Sequence, residues 1–467
     1  MLGRTRHLHF VGIGGSGMSG IAEVLLNLGY DVSGSDLFET PVTRNLRKLG
    51  ATVAIGHAAG HVAGADVVVI SSAVHEDNTE VVEARRQGMP VIRRAEMLAE
   101  LMRMKYGVAV AGSHGKTSTT SMIATVLHGC GLDPTVVVGG RLSKLRSGAR
   151  LGKGELMVAE ADESDGSFLK LKPTVAVVTN IDREHLDHYK DLEEIKEVFI
   201  QFLARIPFYG SAVLCLDDPN VQSILPKLER RHVSYGFSGQ ADFQATDVVL
   251  KGFTARYEAR HRGRALGEVR LSVPGRHSVL NSLPAIAVGM EFGLDFARIV
   301  PHLKRFKGAD RRFHLQGETR DIMVVDDYGH HPVEVMTTLA AAREGFGRRL
   351  VVAFQPHRYT RTRALSGEFS RAFNQADVLV VTEVYPAGEP PIPGVTGETL
   401  TAAIKRHGHR DVTYVPSLED VAPELARRAQ PGDMVITLGA GSIWRAGGAL
   451  LKLLEHPARP SRKGARR

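Results

Sequence analysis

The sequence predicts an α/β protein built on parallel sheets and divided into three domains. Short apolar strand-like runs alternate with helix-length patterns along nearly the whole chain, as parallel sheets with crossover helices require. At two places a strand breaks into glycines and then a helix: "HFVGIGGSG" at 9–17 and "GVAVAGSHGKTSTT" at 107–120. Polar residues also gather where strands end, which is where such sheets keep their ligands.

The elements follow in three blocks. In residues 1–105 a strand at 7–11 leads to a helix at 17–28, stopped by Gly29, with further strands at 31–34 and 66–71. Residues 106–312 open with the strand 107–111 and continue through 156–160 and 174–180. Within it, the alternating pieces of 211–273 read as antiparallel hairpins forming a small sheet. Residues 313–467 return to alternation with "IMVVDD", "LVVAFQ", "VLVVTEV" and "MVITLGAG". Pro332 suits the first turn of a helix there, because it lacks the N–H that goes unpaired at that position.

Composition narrows the function classes. The apolar fraction of 43% and charged fraction of 24% are ordinary for a soluble globular protein. No apolar run reaches the ~18 residues of a spanning helix, and the N-terminus has no signal-like segment. Cys130 and Cys215 are the only cysteines, so neither a disulfide framework nor a thiolate metal site is expected. A cytoplasmic protein without membrane insertion follows. The net charge is +8, and Arg459, Arg462, Lys463, Arg466 and Arg467 of the tail supply five of those charges. That tail (457–467) is expected to be disordered, and the mildly basic remainder gives no case for a nucleic-acid partner.

The chemistry sits in the motifs. In "GSHGKTS", Gly112, Ser113, His114, Gly115, Lys116, Thr117 and Ser118 form a turn whose N–H groups and helix dipole suit phosphates. Lys116 supplies a charge for the β- and γ-phosphates and the Thr117 hydroxyl suits Mg²⁺. The leading glycine comes two positions late for a standard P-loop, so a chance glycine turn is the competing reading. Gly12, Gly14 and Gly17 fit G-x-G-x-x-G, with Gly15 and Ser16 between, Asp36 placed for a ribose and Ser71 at a neighbouring strand end. This turn fits a nicotinamide dinucleotide or a UDP-sugar equally; a tight packing turn is the bland alternative. In "VAEADESDGSF", Glu160 ends a strand and is expected to hold a metal, whereas the following carboxylates read as a solvated loop, Asp165 above all. In "TNIDREHLDHY", His185 and His188 have no zinc spacing, although an imidazole among carboxylates can complete an Mg²⁺ or Mn²⁺ shell. "VVDDYGHHPVE" and "FQPHRYTRTR" bring Arg358, Arg361 and Arg363, whose forks pair with carboxylate or phosphate unless they are a solvated patch.

Taken in order, "HFVGIGGSGMSGIAEVL", "GSHGKTSTT", "AEADESDGSF", "TNIDREHLDHY", "PGRHSVLN", "DDYGHHPVE", "FQPHRYTRTR", "VYPAGEPPIPGVTG" and "LGAGSIW" resemble the Mur ligases over essentially the whole chain. The resemblance implies a Rossmann-like N-terminal UDP-binding domain, a central P-loop-type ATPase α/β domain and a Rossmann-like C-terminal amino-acid-binding domain. It also implies ATP-dependent joining of L-alanine to the carboxylate of UDP-N-acetylmuramate through an acyl phosphate, in peptidoglycan synthesis. The two glycine turns then have separate tasks, one for the UDP handle and one for ATP. Carried over by position, Lys116 contacts the ATP phosphates, Thr117 and Glu160 bind Mg²⁺, and His185 reaches a second Mg²⁺. Asn281 matches an adenine-contacting asparagine, Arg312 a family arginine and Asp327 a ribose-contacting aspartate. Tyr328, His330, Arg358 and Arg361 hold the amino acid and the product carboxylate. The cofactors implied are ATP and Mg²⁺, with Mn²⁺ possible, and a monomer or weak homodimer is expected.

Two positions depart from the family pattern. Several Mur ligases carry a carbamylated lysine about 14 residues after the histidine matching His185; here Phe199 stands there, with Lys196 nearest, so no carbamate is expected. Ser442 replaces an expected aspartate in "GAGSIW". A recycling ligase that attaches a whole tripeptide to the same sugar nucleotide is the nearest alternative. An NAD(P)-dependent oxidoreductase and a nucleotide-state switch are more distant, since each leaves several motifs without a purpose.

Overall fold

The computed structural model describes residues 4–15, 17–71, 73–138, 149–164, 166–185 and 188–456. Ser16, Asp165 and the basic tail 457–467, all singled out above, lie outside them. The chain forms two compact units, one of residues 1–249, 256–272 and 278–310, the other of 250–255, 273–277 and 311–467.

The first unit carries two sheets. Strands β1 (His7–Val11), β2 (Asp31–Asp36), β3 (Thr52–Ile55), β4 (Val67–Ile70) and β5 (Val91–Arg93) form a five-stranded sheet in the order β3-β2-β1-β4-β5. Every pairing in it is parallel. The order reverses at β1, so the turn after β1 opens at the switch point where such sheets bind ligands. β4 is wholly apolar and buried, as a strand covered on both faces must be, and β1 is buried from Leu8 to Val11, His9 included.

The second sheet uses β6 (Tyr106–Ala111), β7 (Thr135–Val137), β8 (Ala149–Arg150), β9 (Leu156–Glu160), β10 (Val175–Val178), β11 (Ser211–Cys215), β12 (His232–Gly236), β13 (Phe243–Lys251), β14 (Thr254–His261) and β15 (Arg264–Leu271). Its order is β15-β14-β13-β12-β11-β10-β6-β9-β7-β8. The region 211–273 differs from its sequence reading. β11 and β12 run parallel to β10, and the start of β13 runs parallel to β12. Only β13, β14 and β15, joined by two-residue links, form hairpins, and they extend the parallel sheet rather than standing apart from it. The signal was hidden because "SAVLC" is too short for its alternation to be distinguished from continuous burial. One core runs on through this unit, from Phe10, Ile21 and Leu25 to Phe168, Phe199 and Phe202.

The second unit is organised by β16 (His314–Thr319), β17 (Ile322–Asp327), β18 (Leu350–Phe354), β19 (Val378–Val381), β20 (Val412–Tyr414) and β21 (Met434–Leu438), in the order β16-β17-β21-β18-β19-β20. β16 pairs antiparallel with β17, and the other pairings are parallel. Separate cores cover the two faces, one around Phe354, Phe369 and Phe373, the other around Val324, Val351 and Leu425. The helix Pro332–Phe346 begins at the proline expected to begin it.

Candidate active site

β6 delivers its chain to Gly112, whose φ of +128° and crowded surroundings exclude a side chain: a Cβ there would lie 2.1 Å from the Thr179 hydroxyl. Gly115, at φ +82°, caps the helix Lys116–Gly129 without side-chain help. The turn between them is held by the end of β10. Asn180 accepts the His114 N–H through Oδ1 at 2.7 Å and donates Nδ2–H to the His114 carbonyl at 3.0 Å. Thr179 donates to that same carbonyl at 2.6 Å, and the Asp182 N–H reaches the Ser113 hydroxyl at 2.8 Å. This clamp was missed in the sequence reading, which noted the stretch as a polar strand end with histidines and acids but gave Asn180 no part in holding the turn. Ser118 lies in the helix's first turn, and Asn281, on the helix Arg276–Glu291, packs its amide against Gly115.

The Lys116 ammonium curls over its own turn, donating to the Gly112 carbonyl at 2.6 Å and to Glu163 Oε1 at 2.8 Å. Burial alone would lower its pKa, but Glu163, Asp162 and Glu160 outweigh that and raise it above the ordinary lysine value. Glu163 is therefore no solvated loop residue. Its side chain is 2% exposed, and its Oε2 is buried without a hydrogen-bond partner. Burial raises its pKa to about 7, Asp162 adding to the rise while Lys116 opposes it. A buried cluster with more carboxylates than cations is poised to take up positive charge.

The Thr117 hydroxyl donates to both oxygens of Glu160, at 3.1 and 3.0 Å, so the predicted metal pair is brought together. His185 stands with Glu163 and Glu184, its Nε2 at 3.7 and 3.6 Å from them. One donor atom from each of Glu163, Glu184 and His185 lies within 4.8 Å of the others. Hard oxygens, one imidazole and an unpartnered carboxylate oxygen fit Mg²⁺ or Mn²⁺. His188 is exposed. Phe199 is core, edge-on to Phe168 at 5.4 Å, and Lys196 pairs with Glu193 at 2.8 Å.

The other glycine turn sits on the five-stranded sheet. Gly12 (φ +76°) and Gly17 (φ +78°) frame it, and Gly17 caps the helix Met18–Asn27. Gly12 and Ile13 N–H groups bond the Ser35 carbonyl at 2.8 and 2.9 Å, and Gly14 N–H bonds Asp36 Oδ2 at 2.8 Å. Asp36 thus shapes the turn as well as ending β2. Gly15 N–H closes on the Gly12 carbonyl at 3.0 Å, and the Ser71 carbonyl accepts Val74 N–H at 3.2 Å. Below lies Glu80, fully buried: it accepts the Ser35 hydroxyl at 2.5 Å and His61 Nδ1–H at 2.7 Å, with His9 at 3.6 Å. Burial opposes its ionisation, yet His9, Ser35 and His61 together lower its pKa to about 2.

In the second unit the Asp327 oxygens accept the N–H groups of Phe313 and Gly329, both at 2.7 Å. Burial, only partly opposed by Arg312, raises its pKa to about 6. Two guanidinium groups approach the Tyr328 ring, Arg311 at 5.0 Å and Arg312 at 5.2 Å from its centre. His330 bonds the Tyr328 carbonyl at 3.1 Å through Nδ1. His357, whose ring is 5.5 Å from His330 and stacks on Tyr385 at 5.4 Å, is lowered to about 3 by burial, with His330, Arg361 and Arg358 adding to the effect. Arg358, in the left-handed region at φ +69°, and Arg361 flank it on the helix Tyr359–Ala364 and its cap. Arg363 follows on that same helix. The Gln355 Oε1 accepts the N–H groups of Ser442 and Ile443 at 2.9 and 3.1 Å, which fixes the "GAGS" loop without an aspartate.

Fold and geometry define the class: a three-sheet α/β enzyme with two glycine turns, one of them set against a lysine and a cluster of carboxylates. Comparison with known proteins makes this specific. Residues 7–106 match the Mur ligase family catalytic domain, 110–289 the Mur ligase middle domain and 311–441 the Mur ligase glutamate ligase domain. The UDP-N-acetylmuramate–L-alanine ligase of Geotalea uraniireducens is 60% identical over 455 residues, 97% of this chain and 99% of its own. The crystal structure of the UDP-N-acetylmuramate-alanine ligase of Thermotoga maritima superposes with a TM-score of 0.81 at 30% identity, covering 97% of this chain and 99% of that one. A murein peptide ligase from Psychrobacter arcticus shares the fold, with a TM-score of 0.71 at 24% identity, covering 97% of this chain and 100% of that one. The chain belongs to the Mur ligase family.

Proposed function

We propose that this chain joins L-alanine to the carboxylate of UDP-N-acetylmuramate at the expense of ATP, in peptidoglycan synthesis. The observation that carries this reading is the likeness, end to end and at 60% identity, to a ligase of that name. The carboxylate oxygen takes the γ-phosphoryl group of ATP, giving an acyl phosphate and ADP. The alanine nitrogen then attacks the carbonyl carbon; the C–N bond forms, the C–O bond to phosphate breaks, and a proton leaves the nitrogen.

The work of the protein is positioning and charge neutralisation. Lys116 leaves Glu163 for the transferring phosphoryl group, and the turn from Gly112 to Ser118 cradles the ATP phosphates. Asn281, Arg312 and Asp327 serve the nucleoside. Thr117 and Glu160 would hold one Mg²⁺ or Mn²⁺, and His185, with Glu163, would hold a second. When bound, the cation screens the repulsion between two anions as they meet. Gly12, Gly14, Gly15, Ser16, Gly17, Asp36 and Ser71 serve the UDP handle. Tyr328, His330, Arg358 and Arg361 hold the amino acid and the product carboxylate.

No helix among the described residues is long and apolar enough to cross a membrane. With Cys130 and Cys215 both free thiols, this supports a cytoplasmic enzyme, taken here as a monomer or weak homodimer. The test is phosphate release with UDP-N-acetylmuramate and L-alanine. A preference for the tripeptide L-Ala-γ-D-Glu-meso-diaminopimelate as acceptor would replace this reading with the recycling one.

A further inference from the structure

The two glycine turns are not equally supplied with charge. The ATP turn has Lys116 in its own sequence, whereas 12–17 contains no basic residue, and Asp36 places a carboxylate oxygen 2.8 Å from the Gly14 nitrogen. Backbone N–H groups alone would have to hold a doubly charged diphosphate beside that carboxylate. A counter-charge from elsewhere in the fold is needed.

Arg94 is placed to supply it. It opens the helix Arg94–Arg103, which directly follows β5. Its guanidinium lies close against the turn: a Cβ on Gly17 would fall 2.7 Å from Nη1. The other terminal nitrogen, Nη2, donates to Asp162 Oδ2 at 3.0 Å. The side chain is one-fifth exposed, so it is oriented without being sealed in. The absence of a side chain at Gly17 is therefore what lets a planar cation reach the mouth of the turn. An arginine fork suits a diphosphate, since it presents parallel N–H donors to two oxygens. Asp162 tethers the fork, and Asp162 in turn stands in the field of Lys116: burial opposes its ionisation, but Lys116 and Arg94 prevail and lower its pKa.

We infer that Arg94 is the counter-charge of the sugar nucleotide's diphosphate, held against Gly17 by Asp162 so that the first site selects a nucleoside diphosphate over a nucleoside. This rests on the sugar-nucleotide reading of that turn. The experiment is calorimetric titration of the full chain with UDP and with uridine, for wild type, Arg94→Ala, Arg94→Lys and Asp162→Asn. Losing a charge-assisted contact should weaken UDP binding roughly ten- to hundredfold in Arg94→Ala, with Arg94→Lys intermediate. Uridine affinity should change less than about threefold, which also reports that the variant is folded. Asp162→Asn should weaken UDP binding by less than Arg94→Ala does, about three- to tenfold with uridine affinity unchanged, because the fork loses its tether but keeps its charge.

UDP binding to Arg94→Ala as tight as to wild type overturns the inference. So does parallel weakening of UDP and uridine by Arg94→Ala and Asp162→Asn alike, which would make the pair a packing bolt. Wild type that binds no UDP brings down the sugar-nucleotide reading itself, and the inference with it.

Discussion

The turns after β1 and β6 are built alike and surrounded differently. Each runs from a buried strand through glycines at positive φ to a helix capped by a left-handed glycine, Gly17 at 78° or Gly115 at 82°. Each also has a buried glutamate at hand. Beneath the first, Glu80 is enclosed by histidines and a serine hydroxyl and stays ionised, at about 2. Beside the second, Glu163 shares a single ammonium with other carboxylates and is raised to about 7. A common backbone recipe provides an anion cradle; the neighbouring strands decide whether the site already has its charge balance or is waiting for a cation.

The largest effect that distinguishes them is expected at Lys116. Lys116→Ala should lower the ligation rate by about a thousandfold, while UDP-N-acetylmuramate binding, measured by calorimetry, stays within about threefold. Substantial residual turnover would place the transferred phosphate elsewhere. Glu163→Gln comes next: removing a carboxylate from the proposed metal set should raise the Mg²⁺ needed for half-maximal ADP release roughly ten- to hundredfold. An unchanged Mg²⁺ requirement would reduce Glu163 to a partner of Lys116.

The glutamates also predict opposite pH dependences. Glu80 has a folded pKa below its ordinary one, so its contribution is full above pH 4.5 and is lost as pH falls toward 2. The loss should reach about 2 kcal/mol by pH 3 in urea unfolding, and Glu80→Gln should flatten it. Glu163, raised instead, holds its proton longer in the fold, so its contribution fades as pH rises from 4.5 through 7. Glu163→Gln should remove that decline in metal-free protein. The smallest effects are the paired glycine changes. Gly17→Ala strains a left-handed residue and displaces Arg94, weakening UDP-N-acetylmuramate binding about tenfold with ATP binding unaltered. Gly115→Ala, which crowds Asn281, should do the reverse. Equal losses at both sites from either change would mean that the turns are not independent.

Much of this was legible in the sequence because it depends on local rules. Alternating strand and helix patterns, glycines where φ is positive, Pro332 at a helix start and the Lys-Thr pair after a strand all follow from backbone sterics and side-chain chemistry within a few residues. They gave the class, both turns, and Thr117 with Glu160. The short strands β3, β5, β7, β8 and β20 were not legible, having too few residues to show a period. Nor was the parallel pairing of β11 and β12, which depends on what lies beside them.

What tertiary structure alone decided is which charges meet. Glu163 and Asp165 stand alike in "ADESDG", yet Glu163 is buried on Lys116, which precedes it by 47 residues. The Asn180 clamp on His114 spans 66 residues and the Arg94–Asp162 pair 68. Sequence determines what each segment can become, because dihedral preferences and burial patterns are short-ranged. Coulomb energy and desolvation depend on distance in space, and only the packed sheets set that distance.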